Sequence, residues 1–276
     1  MLKFLKVTVP CYIPIAILGM VVGAVLASGT INDIRLLWAA LSLTMVVGGF
    51  NTLNGVFDKS IDKLNKPKRP IASGSISART GTAYAVFLYI LAFVFAAFLN
   101  VYFILIVVIS VVLTSLYSIP PIRLRARFLV NTLTGLIFYS MLCPLAGWAL
   151  FQTMPVPWVL IVFLFILGTG IAITKDFEDV YGDSVHQIRT LPDTFGTDKT
   201  KKLISLLVII SFVYIAGVSL LGIIDVRYLG TLIFLPWGIY TIYALDSRNG
   251  NDKSFFIKNM LLVISLELFL IAVTLI

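Results

Sequence analysis

The chain has 276 residues, of which 59% are hydrophobic and 12% are charged, and its formal net charge is +8. Soluble domains usually carry about 25% charged residues, so this composition excludes an ordinary soluble domain. The positive charge does not indicate nucleic-acid binding, because all but two of the 21 Lys and Arg residues lie at the N-terminus or in every second loop. The sequence therefore predicts an all-α protein embedded in a lipid bilayer.

Nine apolar runs follow one another along the chain, each close to the ~20 residues that a helix needs to cross a bilayer. They span residues 7–28, 36–57, 81–99, 101–118, 128–151, 155–174, 202–224, 227–244 and 256–276. The first run is too long for a cleavable signal peptide, and many others follow it. The two cysteines, Cys11 and Cys143, fall inside these runs, so we expect small buried residues rather than a disulfide.

The distribution of basic residues predicts the orientation of the chain. Only Arg35 and Arg227 lie outside the N-terminus and the loops after the second, fourth, sixth and eighth runs. Short loops rich in Lys and Arg stay cytoplasmic. We therefore expect the N-terminus and these loops in the cytoplasm of a cell-membrane protein, and the C-terminus outside.

The order of the runs also indicates an internal repeat. The second and sixth runs each end in an Asp-rich segment that leads into a polar loop, 58–80 in one case and 175–201 in the other. The two runs lie four helices apart. This spacing favours one transmembrane domain, 1–276, with two four-helix halves around a central cavity and a ninth helix added.

The first Asp-rich motif consists of Asn54, Asp58 and Asp62 at the inner end of the second run. Positions four apart lie on one face of a helix, one turn from each other. Like charges at that spacing repel, and unpaired carboxylates near a membrane are costly. A divalent cation relieves both problems, and Mg²⁺ suits best because it binds a few carboxylates while keeping positions for water and phosphate.

The second motif consists of Asp176, Asp179 and Asp183, which share one helical face after the sixth run. One such pair is common on solvated helix ends. Two stripes on the same side of the membrane, both near basic loops, favour a shared metal site. We therefore expect both motifs to hold Mg²⁺ between them.

A basic segment, 63–74, follows the first motif and contains Lys68 and Arg69 together with two prolines and a glycine. A topology signal alone would explain the charge but not the residues that restrict the loop's shape. Arg binds phosphate oxygens through two parallel hydrogen bonds, and Lys acts as a point charge. Metal-bound phosphate surrounded by such cations is a recurring arrangement for stabilising a leaving phosphate.

The inner end of the fourth run carries Tyr117, Ser118, Arg123 and Arg125. By themselves, a tyrosine at the membrane interface and arginines in a cytoplasmic loop are more common as topology features than as parts of a functional site.

Taken together, the motifs resemble those of the UbiA-type intramembrane prenyltransferase superfamily, over essentially the whole chain. The resemblance rests on Asn54, Asp58, Asp62 and the Lys66–Pro70 segment, and on Lys175, Asp176, Asp179, Asp183 and Thr190-Leu191-Pro192. It implies an enzyme that transfers an isoprenyl group from an allylic diphosphate to a lipophilic acceptor with Mg²⁺ as cofactor.

The resemblance also implies residue roles. The carboxylates implied in catalysis are Asp58, Asp62, Asp179 and Asp183. The implied metal ligands are Asn54, Asp58, Asp62, Asp176, Asp179 and Asp183. The residues implied to bind the diphosphate are Lys68, Arg69, Tyr117, Ser118, Arg123 and Lys175. Lys6 stands where many relatives have Arg.

The acceptor stays open at this point. The second motif is similar to the archaeal digeranylgeranylglyceryl phosphate synthases, whereas the Tyr117–Arg123 segment is closer to the chlorophyll and homogentisate branch. Gly55 and Ile171-Ala172 depart from common family patterns. Two other classes remain as alternatives: a CDP-alcohol phosphotransferase, whose usual motif is not found, and a transporter, which would place polar groups near the bilayer midplane.

Three polar residues fall outside these motifs. His186 is the only histidine, and a lone loop histidine is more often a solvated residue than an acid or base. Glu267 and Asn131 lie inside apolar runs. An intramembrane carboxyl is a functional candidate by default, but we favour helix-packing hydrogen bonds for both.

Overall fold

The computed structural model describes residues 2–152, 155–243 and 252–276, with side chains described except at 178–181, 241–243 and 252–257. Every regular element in these ranges is helical. The N-terminal part contains α1 (Leu2–Val7), α2 (Ile13–Ser28), α3 (Ile34–Phe57), α4 (Lys59–Asn65), α5 (Ala78–Ala96), α6 (Val101–Ser118), α7 (Val130–Leu136) and α8 (Cys143–Ala149). A π-helical segment, Ile137–Leu142, joins α7 to α8.

The C-terminal part begins after a short loop. It contains α9 (Trp158–Ile173), α10 (Asp176–Val185), α11 (Leu191–Phe195), α12 (Thr197–Leu220), α13 (Leu235–Tyr243) and α14 (Asp252–Leu275). A 3₁₀ segment, Val226–Phe234, precedes α13.

Within the described ranges, seven helical stretches are long and apolar enough to cross a membrane. They correspond to seven of the nine predicted runs, and the expectation of an all-α, multi-pass membrane protein is confirmed. The sixth run forms the shorter helix α9, of 16 residues. The eighth run is divided, because Pro236 allows a helix to start at Leu235 but cannot donate a backbone hydrogen bond to the preceding turn.

Local signals fix where the membrane helices begin and end. The side chains of Asp33, Ser77 and Asn100 accept hydrogen bonds from backbone N–H groups in the first turns of α3, α5 and α6, which are groups without a partner inside the helix. Gly29 ends α2 with a φ of 68°, a conformation that glycine adopts without strain.

Two buried apolar clusters hold the helices together. The larger one joins α2, α3, α5, α6 and α8, and the second joins α9, α12 and α14 to the C-terminal half of α2. Helices α2 and α8 approach closely enough that a Cβ at Gly23 would lie 1.8 Å from the carbonyl oxygen of Pro144, and one at Gly147 would lie 1.7 Å from that of Met20. Small residues permit such contact between helix backbones in membranes.

The cysteine expectation is half correct. Cys143 is fully buried in the larger cluster, whereas Cys11 is exposed, since it lies in the 3₁₀ turn Pro10–Tyr12 before the first long helix. The two thiols do not form a disulfide.

Candidate active site

The first Asp motif lies at a break between two helices. Helix α3 ends at Phe57, Asp58 has a non-helical backbone (φ −94°, ψ 15°), and α4 begins at Lys59. The hydrogen bonds from Asp58 N to Asn54 O and from Asp62 N to Asp58 O, both 2.8 Å, carry the helical spacing through the break. The Asn54 side chain donates to Asp58 Oδ2 at 3.0 Å. The predicted common face is therefore kept for these residues.

A single arginine connects the two Asp motifs. Arg125 Nε donates to Asp58 Oδ2 at 2.9 Å, and its Nη2 donates to Asp183 Oδ1 at 2.9 Å. All three side chains are buried. Arg123 Nη2 donates to the other oxygen of Asp58 at 2.9 Å. Carboxylates from α3–α4 and α10 thus meet around one guanidinium group.

The second motif lies on a separate short helix, because the chain turns at Thr174 and Lys175 before α10. Asp176 and Asp183 are buried. The side chain of Asp179 lies outside the described residues. Helix α10 packs against α4 through Gly182, whose backbone N–H donates to Asn65 Oδ1 at 2.8 Å. A Cβ at Gly182 would lie 2.5 Å from that oxygen, so a larger residue would displace the Asn65 side chain from this hydrogen bond.

The predicted basic residues occupy different positions around these carboxylates. Arg69 Nη1 binds both oxygens of Asp62, at 3.1 and 2.9 Å. Lys68, next to it, is exposed. Lys175 is half-buried and lines the main cavity. Lys6 lines a small crevice with Asp62 and Arg69, which places it beside the first motif.

The arginines counteract the effect of burial on the acidic side chains. Burial alone raises the pKa of Asp58, but the guanidinium groups of Arg125 and Arg123 outweigh it and hold the pKa below its usual value. For Asp62 burial dominates, and the pKa is raised although Arg69 and Lys66 oppose the shift. The cluster thus favours a charged carboxylate at Asp58, where two cations meet.

A cavity of about 160 Å³ extends from these motifs into the helix bundle. Its mouth is lined by Asn54, Arg69, Arg125, Lys175 and Asp176. Its deeper walls are mainly apolar and aromatic, with Tyr12 and Tyr139 stacked at 5.9 Å between ring centroids. A charged mouth above an apolar chamber suits an amphiphile with a phosphate head and a hydrocarbon tail.

Two further predicted residues flank this cavity. Tyr117 is buried, lines the cavity and makes an edge contact with Phe50, with ring centroids 5.2 Å apart. Ser118 is buried beside it on α6 but is not among the lining residues. Asn131 lines the mouth side of the cavity and accepts a hydrogen bond from Thr132 Oγ1. His186 is exposed, with its Nδ1 2.9 Å from the carbonyl oxygen of Gly182.

Arg125 is the residue that the motif interpretation missed. It was grouped with Arg123 as a loop cation, yet it is buried and spans both motifs. The signal was the alternation of Arg123, Leu124 and Arg125 after the fourth run. The position of Arg125 depends on the backbone at Arg123, which turns the chain toward Asp58. The φ of Arg123 is 37°, a value that is uncommon for a non-glycine residue.

Comparison with known proteins agrees with this geometry. The sequence profile of the UbiA prenyltransferase family matches residues 16–264. A digeranylgeranylglyceryl phosphate synthase from Saccharolobus solfataricus is 31% identical over 249 residues, which cover 87% of this chain and 85% of that protein. The enzyme of that name from Methanobrevibacter smithii is 29% identical, with 94% of each chain covered.

A solved structure has the same fold. The UbiA homolog from Archaeoglobus fulgidus, in its complex with GPP and Mg²⁺, superposes with a TM-score of 0.76 at 20% identity, covering 98% of this chain and 99% of that one. The family match over residues 16–264 favours the prenyltransferase interpretation over the phosphotransferase and transporter alternatives. The chain belongs to the UbiA prenyltransferase family and is an intramembrane prenyltransferase.

Proposed function

We propose that this enzyme transfers an isoprenyl group from an allylic isoprenyl diphosphate to the hydroxyl group of a glyceryl phosphate ether lipid. The observation that carries the proposal is the convergence of Asp58 and Asp183 on Arg125 at the mouth of an apolar cavity. The names of the two relatives support a glyceryl phosphate acceptor over an aromatic one.

The site's donor groups fit Mg²⁺. Carboxylate and amide oxygens are the hard ligands that this ion prefers, and the proposed ligands are Asn54, Asp58, Asp62, Asp176, Asp179 and Asp183. Among the described side chains, no three His, Cys, Asp or Glu residues are close enough to hold a metal ion by themselves. This arrangement is compatible with a metal shared between protein carboxylates and the substrate's diphosphate, and the A. fulgidus protein binds both GPP and Mg²⁺. The bound metal supplies charge stabilisation for the leaving group.

The chain's own residues bind and orient the donor. Arg69, Arg123, Lys68 and Lys175 contribute positive charge around the diphosphate, with Tyr117 in the cavity wall and Ser118 buried next to it on α6. The C–O bond between the allylic carbon and the diphosphate breaks, and the electron pair leaves with the diphosphate. The cavity keeps water from the allylic cation until the acceptor oxygen forms the new C–O bond and loses its proton.

The membrane arrangement is part of the proposal. All nine predicted runs cross the bilayer, as one domain of two four-helix halves with a ninth helix. The N-terminus and the catalytic loops lie in the cytoplasm and the C-terminus outside. The one-sided distribution of Lys and Arg supports this orientation.

Diphosphate release and lipid product are measured with purified protein and geranyl, farnesyl and geranylgeranyl diphosphates, with and without Mg²⁺. The acceptor panel contains glyceryl phosphate ether lipids and phenolic compounds. We expect Mg²⁺-dependent transfer to a glyceryl phosphate lipid. Transfer to a phenol alone would overturn the acceptor, and turnover that is unchanged by chelating Mg²⁺ would overturn the metal site.

A further inference from the structure

Glu267 on α14 is a buried carboxyl group that the proposed chemistry does not use. It is 2% exposed and lines the same cavity as Asn54 and Asp176 of the two motifs. Its Oε2 atom makes no hydrogen bond within the part of the chain that the structure describes. Ionised or neutral, a buried carboxyl needs a polar partner, and leaving it without one is costly.

The carboxyl lies deep in the cavity, well below the charged mouth. Asn259 on the same helix donates to Thr174 Oγ1 at 3.1 Å, which places Asn259 at the level where the second motif begins. Glu267 is about 12 Å further along the helix axis, at a rise of about 1.5 Å per residue. The helix thus presents its carboxyl far below the level at which a diphosphate head would bind.

Glu267 is the last residue of α14 that lines the cavity. Gly19 on α2 leaves room for the carboxyl, since a Cβ there would lie 3.2 Å from Glu267 Oε1. Beyond it, Cys143 and Leu270 are fully buried and are not among the lining residues. Further along α2, its close crossing with α8 at Gly23 leaves no room between the two backbones.

We propose that Glu267 forms a polar floor that limits the length of the isoprenyl tail the cavity accepts. An extended chain of single bonds advances about 1.2 Å per bond. On that scale a geranyl tail ends above Glu267, a farnesyl tail reaches it, and a geranylgeranyl tail has to turn or pack against it. A hydrocarbon tail at this position excludes water from the carboxyl and offers it no hydrogen bond.

This inference rests on the proposed function only in its use of an allylic diphosphate donor. It sharpens that function, because the names of the relatives do not fix the tail length of this enzyme's own donor. It is therefore tested by binding rather than by turnover. The probes are the unreactive thiolodiphosphate analogues of geranyl, farnesyl and geranylgeranyl diphosphate, titrated into the full-length protein with Mg²⁺ by calorimetry.

The informative variant is Glu267→Met, which keeps the length of the side chain and removes its polarity. We expect the affinity for the geranylgeranyl analogue, relative to that for the geranyl analogue, to rise roughly tenfold. Glu267→Gln keeps a polar end and is expected to retain the wild-type ratio. Leu270→Met, on the same helix but away from the cavity, controls for altered packing and is also expected to retain it.

A second variant keeps the test decisive if Glu267→Met does not fold. Gly19→Ala places a methyl group 3.2 Å from Oε1 and reduces the space around the carboxyl, so the relative affinity for the longest tail is expected to fall. Unchanged ratios in Glu267→Met and Gly19→Ala would overturn the inference while leaving the proposed function intact. No binding of any analogue to the wild-type protein would overturn both.

Discussion

Asp58 at the mouth of the cavity and Glu267 at its floor are almost equally buried, with exposed fractions of 3% and 2%. Asp58 is surrounded by two arginines and an asparagine, whereas Glu267 faces apolar and aromatic walls. The same functional group is thus held by cations in one region and placed among apolar walls in the other. The difference shows that neighbouring cations, rather than burial, decide what a membrane carboxyl can do.

Removing Arg125 would leave the carboxylates at the mouth of the cavity with fewer cations around them, as Glu267 is at the floor. Arg125→Ala leaves Asp58 and Asp183 buried without their shared partner, and we expect the free energy of unfolding to fall by about 3–5 kcal/mol. Denaturant unfolding in detergent micelles measures this. Arg227→Ala, which breaks the exposed pair with Asp225, is the matched control and should leave stability nearly unchanged. Equal effects of the two substitutions would contradict the central role of Arg125.

Removing the carboxylates tests the chemistry of the mouth directly. Asp58→Ala and Asp183→Ala should each lower kcat/KM by about 10²–10³-fold or more, because each removes a proposed ligand of the metal and diphosphate. Both proteins should still fold and insert, since Arg125 keeps one carboxylate partner in each variant. Asp33→Ala, which removes a carboxylate at the start of α3, is the control for activity. Activity within tenfold of wild type in either site variant would refute the metal-site assignment.

The contact between α4 and α10 holds the two motifs together, and it can be disturbed without changing any charge. Gly182→Ala pushes a methyl group against Asn65, and we expect a loss of about 1–3 kcal/mol in stability. The double variant Gly182→Ala, Asn65→Ala removes the obstacle and should recover part of that loss. Purely additive effects in this double-mutant cycle would show that the two residues are not coupled.

The smallest effect is expected at the exposed edge of the mouth. Lys68→Ala should raise KM for the donor by roughly two- to fivefold, since an exposed cation contributes about 0.2–1 kcal/mol. The rise should shrink at high salt. Arg69→Ala should have a larger effect because it also frees Asp62. A larger rise in KM for Lys68→Ala than for Arg69→Ala would show that Lys68, rather than Arg69, is the more important residue for binding the donor.

Hydropathy and spacing predicted the broad arrangement, because both are local properties of the chain. Seven of the nine runs are helices long enough to span a membrane, and the i, i+4 spacing placed Asn54, Asp58 and Asp62 on one side. The division of the eighth run was not anticipated, although Pro236 signals it. Hydropathy summed over a window of residues does not detect that one proline lacks a backbone N–H group to donate a hydrogen bond.

The bridging role of Arg125 could not be read from sequence alone. Its two partners, Asp58 and Asp183, are distant in the chain on either side of it. Their meeting depends on the positive φ at Arg123 and on the close packing at Gly182. Similarly, Glu267 could be singled out as an intramembrane carboxyl, but its place in the cavity depends on the packing of three helices.

The glycine contacts between α2 and α8 have a consequence for how the protein is made. Helix α2 is synthesised first, yet the surface that receives it, at Pro144 and Gly147, leaves the ribosome more than a hundred residues later. The first span therefore waits in the lipid with its glycine face uncovered until α8 is inserted. Insertion of the middle of the chain, rather than its start, therefore completes this contact between the helix backbones.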